Sequence, residues 1–108
     1  MQRTLIVARM KPGNEEAIKH IFAESDAGDL PRMLGVRERR LYRFHDLYFH
    51  SIESNEDLAL PLTDVRAHPL FADINQKLSE HVTAYDPATW RSPSDAMARE
   101  FYLWRGPG

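Results

Sequence analysis

The chain has 108 residues and a mass of 12.5 kDa, which corresponds to one domain spanning residues 1–108. Its net charge of −2 lacks the basic excess typical of nucleic-acid binding. The absence of cysteine excludes disulfide scaffolds, zinc–thiolate sites, iron–sulfur clusters and cysteine nucleophiles. No apolar run approaches the roughly 18 residues that span a bilayer, and residues 1–9 lack a signal peptide's apolar region, so a cytoplasmic location is expected.

The N-terminal third carries one strand signal and one helix signal. Residues 4–10 are β-branched and apolar and predict a first strand. Asn14 follows a Pro-Gly breaker pair and is a candidate helix cap. A helical stripe then predicts a first helix that buries Ala17, Ile18, Ile21 and Phe22. Residues 25–31 are expected to end this helix and form a loop.

The middle of the chain predicts a β-hairpin. Residues 36–44 and 47–53 are rich in Tyr, Phe, Val and Ile, which favours two strands. Only His45 and Asp46 separate them, and a two-residue connection is typical of a tight antiparallel turn.

The C-terminal half predicts one more helix and one more strand. Residues 55–64 are polar and broken by Pro61. Pro69 suits the first turn of a helix whose apolar face collects Leu70, Phe71, Ile74 and Leu78, with Val82 beyond. Residues 85–98 are expected to be a loop, and residues 100–104 a final strand.

The resulting order, β-α-β-β-α-β, is that of the ferredoxin-like α+β fold. It predicts a four-stranded antiparallel sheet with both helices on one face. The other face of the sheet is then not covered by helices. The strands carry large residues on both faces, and Tyr42 and Phe44 share one face. An exposed apolar sheet usually marks an interface or a ligand site, so we expect a dimer that packs sheet against sheet.

The hairpin also carries the candidate chemistry. Side chains two apart share a face, so a turn at 45–46 collects one mixed face from the pairs Arg43–Tyr48, Leu41–His50 and Arg39–Ile52. Arg offers a fixed fork of donors to enolate or phenolate oxygens, and His can transfer a proton near neutral pH. An alternative interpretation is that these arginines only form ion pairs with carboxylates across the sheet or the dimer.

Residues outside the hairpin add weaker candidates. Asp26 follows the first helix, where a carboxylate could act as a base or only bond the local backbone. His68 could line a cavity or simply lead into Pro69. A metal site is not expected, because His45 and His50 have opposite strand parity and no third ligand at a recognisable spacing. Neither a Gly-x-Ser-x-Gly elbow nor a phosphate-binding glycine loop occurs.

Short runs in order along nearly the whole chain resemble the aromatic polyketide cyclases of the tetracenomycin type. The most characteristic is Arg43-Phe44-His45-Asp46-Leu47-Tyr48-Phe49-His50. The others lie at residues 5–13, 22–26, 30–31, 35–39, 66–71 and 100–104. The resemblance implies a cofactor-free homodimeric α+β barrel that acts with a type II polyketide synthase, in antibiotic or spore-pigment pathways. The implied reaction is an intramolecular aldol condensation with dehydration, which closes a later ring of a partly cyclised poly-β-ketone.

The resemblance also implies site residues. It places an active-site Arg at Arg39, a His at His50 and an Asp at Asp26, while Ser25 stands where the family has a His. With the parity argument, this gives Arg39, His50 and Asp26 as catalytic candidates. The substrate-binding candidates are Arg43, Tyr48, Leu41, Ile52, Ser25 and His68.

Two other functions stay open from the sequence. A cofactor-free quinone-forming monooxygenase uses the same barrel, and Trp90 and Trp104 could serve its oxygen chemistry. A non-catalytic subunit of the synthase complex would bind the polyketide without accelerating ring closure.

Overall fold

A computed structural model describes residues 2–55, 67–91 and 93–107. Its strands are β1 (Gln2–Met10), β2 (Val36–Phe44), β3 (Leu47–Ser54) and β4 (Val82–Ala84). Its α-helices are α1 (Glu15–Asp26), α2 (Leu30–Leu34) and α3 (Pro69–Leu78), and a short 3₁₀ helix covers Pro93–Ala96. Most of the predicted break at 55–64 lies outside the described residues.

The strands form one antiparallel sheet in the order β2-β3-β1-β4, which confirms the ferredoxin-like α+β prediction. The two-residue turn at 45–46 is also confirmed: His45 has a φ of 56°, in the left-handed region that tight hairpin turns require. The register follows from this turn. It pairs Arg43 with Tyr48, Leu41 with His50 and Arg39 with Ile52, as predicted.

The helices cover one side of the sheet, and the core lies between the helices and the sheet. Alternate residues of β1 and β3 point inward, so Ala8, Met10, Tyr48 and Ile52 are buried against Ile18 and Phe22 of α1, Leu30 and Leu34 of α2, and Ile74 of α3. Asn14 precedes α1, but its side chain makes no capping bond. Its Nδ2 lies 3.2 Å from His81 Nδ1 instead. Within the described residues, no helix is long and apolar enough to cross a membrane.

The expectation of a loop over residues 25–31 was wrong at both ends. Helix α1 continues through Asp26, and α2 begins at Leu30. A proline is tolerated in the first turn of a helix, as Pro31 is here. Leu30 and Leu34, one turn apart, are both buried, and Gly35 ends the helix with a φ of 70°.

The prediction of the fourth strand at residues 100–104 is wrong, because that strand is Val82–Ala84. Val82–Ala84 pairs with β1, so Val82 belongs to the sheet and does not extend the face of α3. Residues 100–104 belong to no strand, and Phe101 is 95% exposed. Residues 85–98 are not only loop, because the 3₁₀ helix and a bridge from Met97 to Ile6 lie within them. A strand of three residues carries too little alternation to be read from sequence.

No described helix packs on the sheet face opposite the helix layer, in agreement with the prediction. We call it the open face and define it by the outward residues Leu5, Val7, Tyr42, Phe44 and Phe49. Tyr42 and Phe44 are 52% and 61% exposed. The open face therefore carries exposed apolar side chains next to the ion pairs Arg3–Glu53, Arg9–Asp46 and Arg40–Glu38.

Candidate active site

The three catalytic candidates meet at one edge of the sheet. The C-terminal end of α1 brings Asp26 beside the β2 strand, where the Arg39 guanidinium holds its carboxylate in a two-pronged contact. Arg39 Nη2 lies 2.8 Å from Asp26 Oδ1, and Arg39 Nε lies 3.1 Å from Oδ2. Arg39 Nη1 lies 2.7 Å from His50 Nε2. We call these three residues the Arg39 cluster.

Burial and a packed ring fix the position of the guanidinium. The Arg39 side chain is only 14% exposed, whereas that of Asp26 is 40% exposed. The Arg39 guanidinium carbon lies 4.8 Å from the centre of the Phe22 ring, and the same ring meets His50 edge-on at 5.0 Å. The helical spacing of Phe22 predicts a core residue only. Its spacing of one helical turn from Asp26 was the available signal for its place beside the cluster.

The contact with Arg39 determines which nitrogen of His50 carries the proton. A guanidinium only donates, so His50 Nε2 accepts and the proton of the neutral ring is on Nδ1. Burial, and secondly the positive charge of Arg39, lower the pKa of His50 to about 3. His50 is therefore neutral at physiological pH, and its basic lone pair is occupied by Arg39.

This assignment predicts a pH-dependent stability. Unfolded His50 binds a proton below pH 6.5 but the folded residue does so only near pH 3, so its stabilising contribution is complete above pH 6.5 and is lost as the pH falls. Between pH 7 and pH 5, the free energy of unfolding should fall by up to about 2 kcal/mol more in the parent chain than in His50→Gln, which still accepts from Arg39. Denaturant titrations at both pH values measure the difference. His20→Gln, whose side chain is 75% exposed, is the control and should match the parent.

A pocket of about 350 Å³ lies beside the cluster, between the first half of α1 and the sheet. We call it the Tyr48 pocket. Its lining is mostly apolar where it meets the sheet and charged along the helix; it comprises Met10, Leu41, Tyr48, Ile18, Glu15, Glu16 and Lys19. None of the Arg39 cluster lines it directly. The cluster is adjacent, because Leu41 pairs with His50 in the register and the Tyr48 ring centre lies 6.1 Å from that of His50.

The substrate-binding candidates are distributed unevenly around this pocket. Leu41 and Tyr48 line it, and Ile52 is buried in the core beside Arg39. Arg43 lies at the rim, where its Nε is 3.2 Å from Glu15 Oε2 and its Nη1 donates to the His45 carbonyl. Glu15 also accepts from the Gly13 amide, and these backbone and Arg43 contacts lower its pKa.

Two candidates lie elsewhere. Ser25 lines a different pocket of about 220 Å³ between α1 and α3, which we call the Ser25 pocket. His68 is the cap of α3, and its Nδ1 accepts a hydrogen bond from the Leu70 amide at 3.1 Å. Neither is part of the Arg39 cluster or among the residues that line the Tyr48 pocket. Within the described residues, no group of three or more His, Asp or Glu side chains could hold a metal ion.

The fold and this edge cluster define a ferredoxin-like α+β protein with a helix-side pocket, and comparisons with known proteins show its family. Residues 2–105 match the polyketide synthesis cyclase family. The chain belongs to this family.

Three relatives are similar to the chain over nearly its whole length. An uncharacterized protein of Streptomyces coelicolor is 52% identical over 96% of this chain and 95% of its own. The polyketide synthase CurG of Streptomyces cyaneus is 45% identical over 96% of this chain and 97% of its own. The solved structure of tetracenomycin F2 cyclase from Streptomyces glaucescens, described as a type II polyketide cyclase, is 41% identical, covers 99% of this chain and 100% of its own, and superposes with a TM-score of 0.91.

Proposed function

We propose that the chain closes a later ring of a partly cyclised aromatic poly-β-ketone by intramolecular aldol condensation and dehydration. The observation that carries the proposal is the buried Arg39 guanidinium, fixed by Asp26 and His50 beside the largely apolar Tyr48 pocket. Three of its five N–H groups are used by these two partners, so two are available to a ligand. The family, and the name of the tetracenomycin F2 cyclase relative, support the substrate class.

The reaction makes two demands on the protein. An enol carbon between two carbonyl groups must meet one particular ketone carbon, and the pocket supplies this by folding the flexible chain into a near-attack geometry. As the carbon–carbon bond forms, the ketone oxygen gains negative charge and takes up a proton. That hydroxyl then leaves with a neighbouring methylene hydrogen as one molecule of water. Arg39 stabilises the developing oxyanion in a site of low solvent access.

The proton from the activated methylene passes to water in this proposal. Hydrogens between two carbonyl groups are acidic, so positioning and anion stabilisation are the larger demands. His50 then serves to orient Arg39, because its Nε2 lone pair is engaged by that guanidinium. The proton-transfer roles expected for His50 and Asp26 stay predictions, and for His50 such a role requires Arg39 to move away.

A rate assay separates this proposal from its rivals. Tetracenomycin F2, the compound in the relative's name, is the first probe. The chain should accelerate loss of one water from it equally in air and under nitrogen. A rate that requires oxygen would indicate a monooxygenase, and binding without acceleration would indicate a non-catalytic subunit. The two tryptophans considered for oxygen chemistry, Trp90 and Trp104, are 44% and 68% exposed, and neither lines the Tyr48 pocket.

We also propose that the chain works as a homodimer and associates with synthase components through surfaces outside the pocket. The open face has exposed apolar residues, and the C-terminal arm, residues 99–107, also has large residues exposed. Phe101 and Trp104 of this arm are 95% and 68% exposed. A second copy packed on the open face would cover Tyr42 and Phe44, which a monomer leaves in water.

Charge on the open face is expected to break this dimer. The double variant Tyr42→Asp with Phe44→Asp places two carboxylates in the proposed dimer interface. The dissociation constant of the dimer should therefore rise at least about tenfold. Sedimentation at several concentrations measures the constant. Leu70→Asp, on α3 and 42% exposed, is the matched control and should leave it unchanged. A monomeric parent chain, or a double variant that dimerises like the parent, contradicts the proposal.

A further inference from the structure

Tyr48 is the residue that joins the pocket to the Arg39 cluster. It lies on β3, is only 4% exposed, and its ring lines the Tyr48 pocket. On its other side the ring meets His50 at 6.1 Å, and His50 accepts from Arg39. A ligand in this pocket that extends to Arg39 would therefore lie next to Tyr48.

The phenolic hydroxyl of Tyr48 has no hydrogen-bond partner among residues 2–55, 67–91 and 93–107. Buried tyrosine hydroxyls normally find one. No fully enclosed side-chain nitrogen or oxygen in these ranges lacks a partner, so the Tyr48 oxygen retains some accessible surface. Because Tyr48 belongs to the buried core and also lines the pocket, we infer that this surface faces the pocket.

We propose that Tyr48 donates its hydroxyl hydrogen to the ketone oxygen that the enol carbon attacks, so that Tyr48 and Arg39 bind the reacting oxygens from two sides. The proposal rests on the ring-closure function above and adds a catalytic residue to it. Only a hydrogen bond is donated: the O–H bond stays intact, and the proton that the alkoxide takes up comes from water. The ligand it fits is a polycyclic ketone or phenol with an oxygen facing β3.

Electrostatics keep this hydroxyl a donor. Burial raises the pKa of Tyr48 well above its usual range, against the opposing effect of the Arg39 charge. The phenol is therefore protonated at physiological pH. A neutral donor places no charge in the apolar part of the pocket, and its hydrogen bond strengthens as charge develops on the ketone oxygen.

Tyr48→Phe tests the proposal, because it removes one oxygen and keeps the ring that packs against His50. With tetracenomycin F2, kcat should fall about 10- to 100-fold while KM changes less than about threefold, because the bond is strongest in the transition state. Tyr42→Phe removes the same oxygen from the open face and should keep the parent's kcat. Thermal unfolding and circular dichroism establish that both variants fold. Parent-like kcat in a folded Tyr48→Phe overturns the inference.

A binding measurement tests the role of Tyr48 without requiring turnover. Titration with 1,8-dihydroxyanthraquinone should give a dissociation constant about fivefold weaker in Tyr48→Phe than in the parent or Tyr42→Phe. If the parent never accelerates ring closure but Tyr48→Phe still loses affinity, the proposed function fails and Tyr48 stays a ligand contact. Equal affinity in all three proteins, with an active parent and an unchanged kcat, removes Tyr48 and leaves the proposed function intact.

Discussion

Arg39→Ala is expected to slow ring closure about 100-fold and to raise the share of misfolded shunt products. Loss of one preorganised donor to a developing oxyanion typically costs about 10² to 10³ in rate. Some turnover should remain, because the Tyr48 pocket still folds the polyketide and positioning supplies part of the rate. The measurement is single-turnover kinetics with tetracenomycin F2, with products resolved by chromatography.

The same strand offers a matched control for this change. Arg40 lies on the opposite face of β2, pairs with Glu38 at 2.7 Å and is 64% exposed, so Arg40→Ala should retain the parent rate and product profile. Arg39→Lys keeps the charge but loses the two-pronged contact with Asp26. Its rate of ring closure should lie between those of Arg39→Ala and Arg40→Ala. Loss of all products from a folded Arg39→Ala points to obligatory acid–base catalysis, and a parent-like rate removes Arg39 from the site.

Leu41→Trp should raise KM at least about tenfold, because the indole occupies the space in which the polyketide folds. Leu41 is half-buried on the sheet wall of the Tyr48 pocket and faces His50 across the strands. A loss of about 1.4 kcal/mol in binding corresponds to this tenfold change. Initial rates over a range of substrate concentrations measure it.

The second pocket supplies the control for this filling experiment. Leu70 lines the Ser25 pocket, so Leu70→Trp fills part of the smaller space between α1 and α3. It should leave KM unchanged. The opposite pattern, with KM raised in Leu70→Trp and unchanged in Leu41→Trp, would indicate that the substrate binds in the Ser25 pocket.

The hairpin shows what the sequence could predict and why. A two-residue turn at His45 and Asp46 leaves one pairing register, and side-chain direction alternates along each strand. Local information was therefore enough to place Arg39, His50 and Tyr48 on one face. The order of elements likewise predicted the sheet and its helix layer.

What the sequence could not predict depends on tertiary packing. The direct bond from Arg39 to His50 needs rotamers that Phe22 fixes from another element. Ser25 and Asp26 are neighbours in sequence, but successive helical residues point about 100° apart, so Ser25 lines the Ser25 pocket whereas Asp26 contacts Arg39. Strand β4 is stabilised by pairing with β1 and has no strong local signal.

The central claim is that the polyketide folds in the Tyr48 pocket with an oxygen on Arg39. A crystal structure of the chain with a ring-closed, planar polycyclic product tests this most directly. We predict the rings between Leu41, Tyr48 and Ile18, with a product oxygen within about 3.2 Å of a guanidinium nitrogen of Arg39. A product bound in the Ser25 pocket or in a seam between two chains, with Arg39 still engaged only by Asp26 and His50, would contradict it.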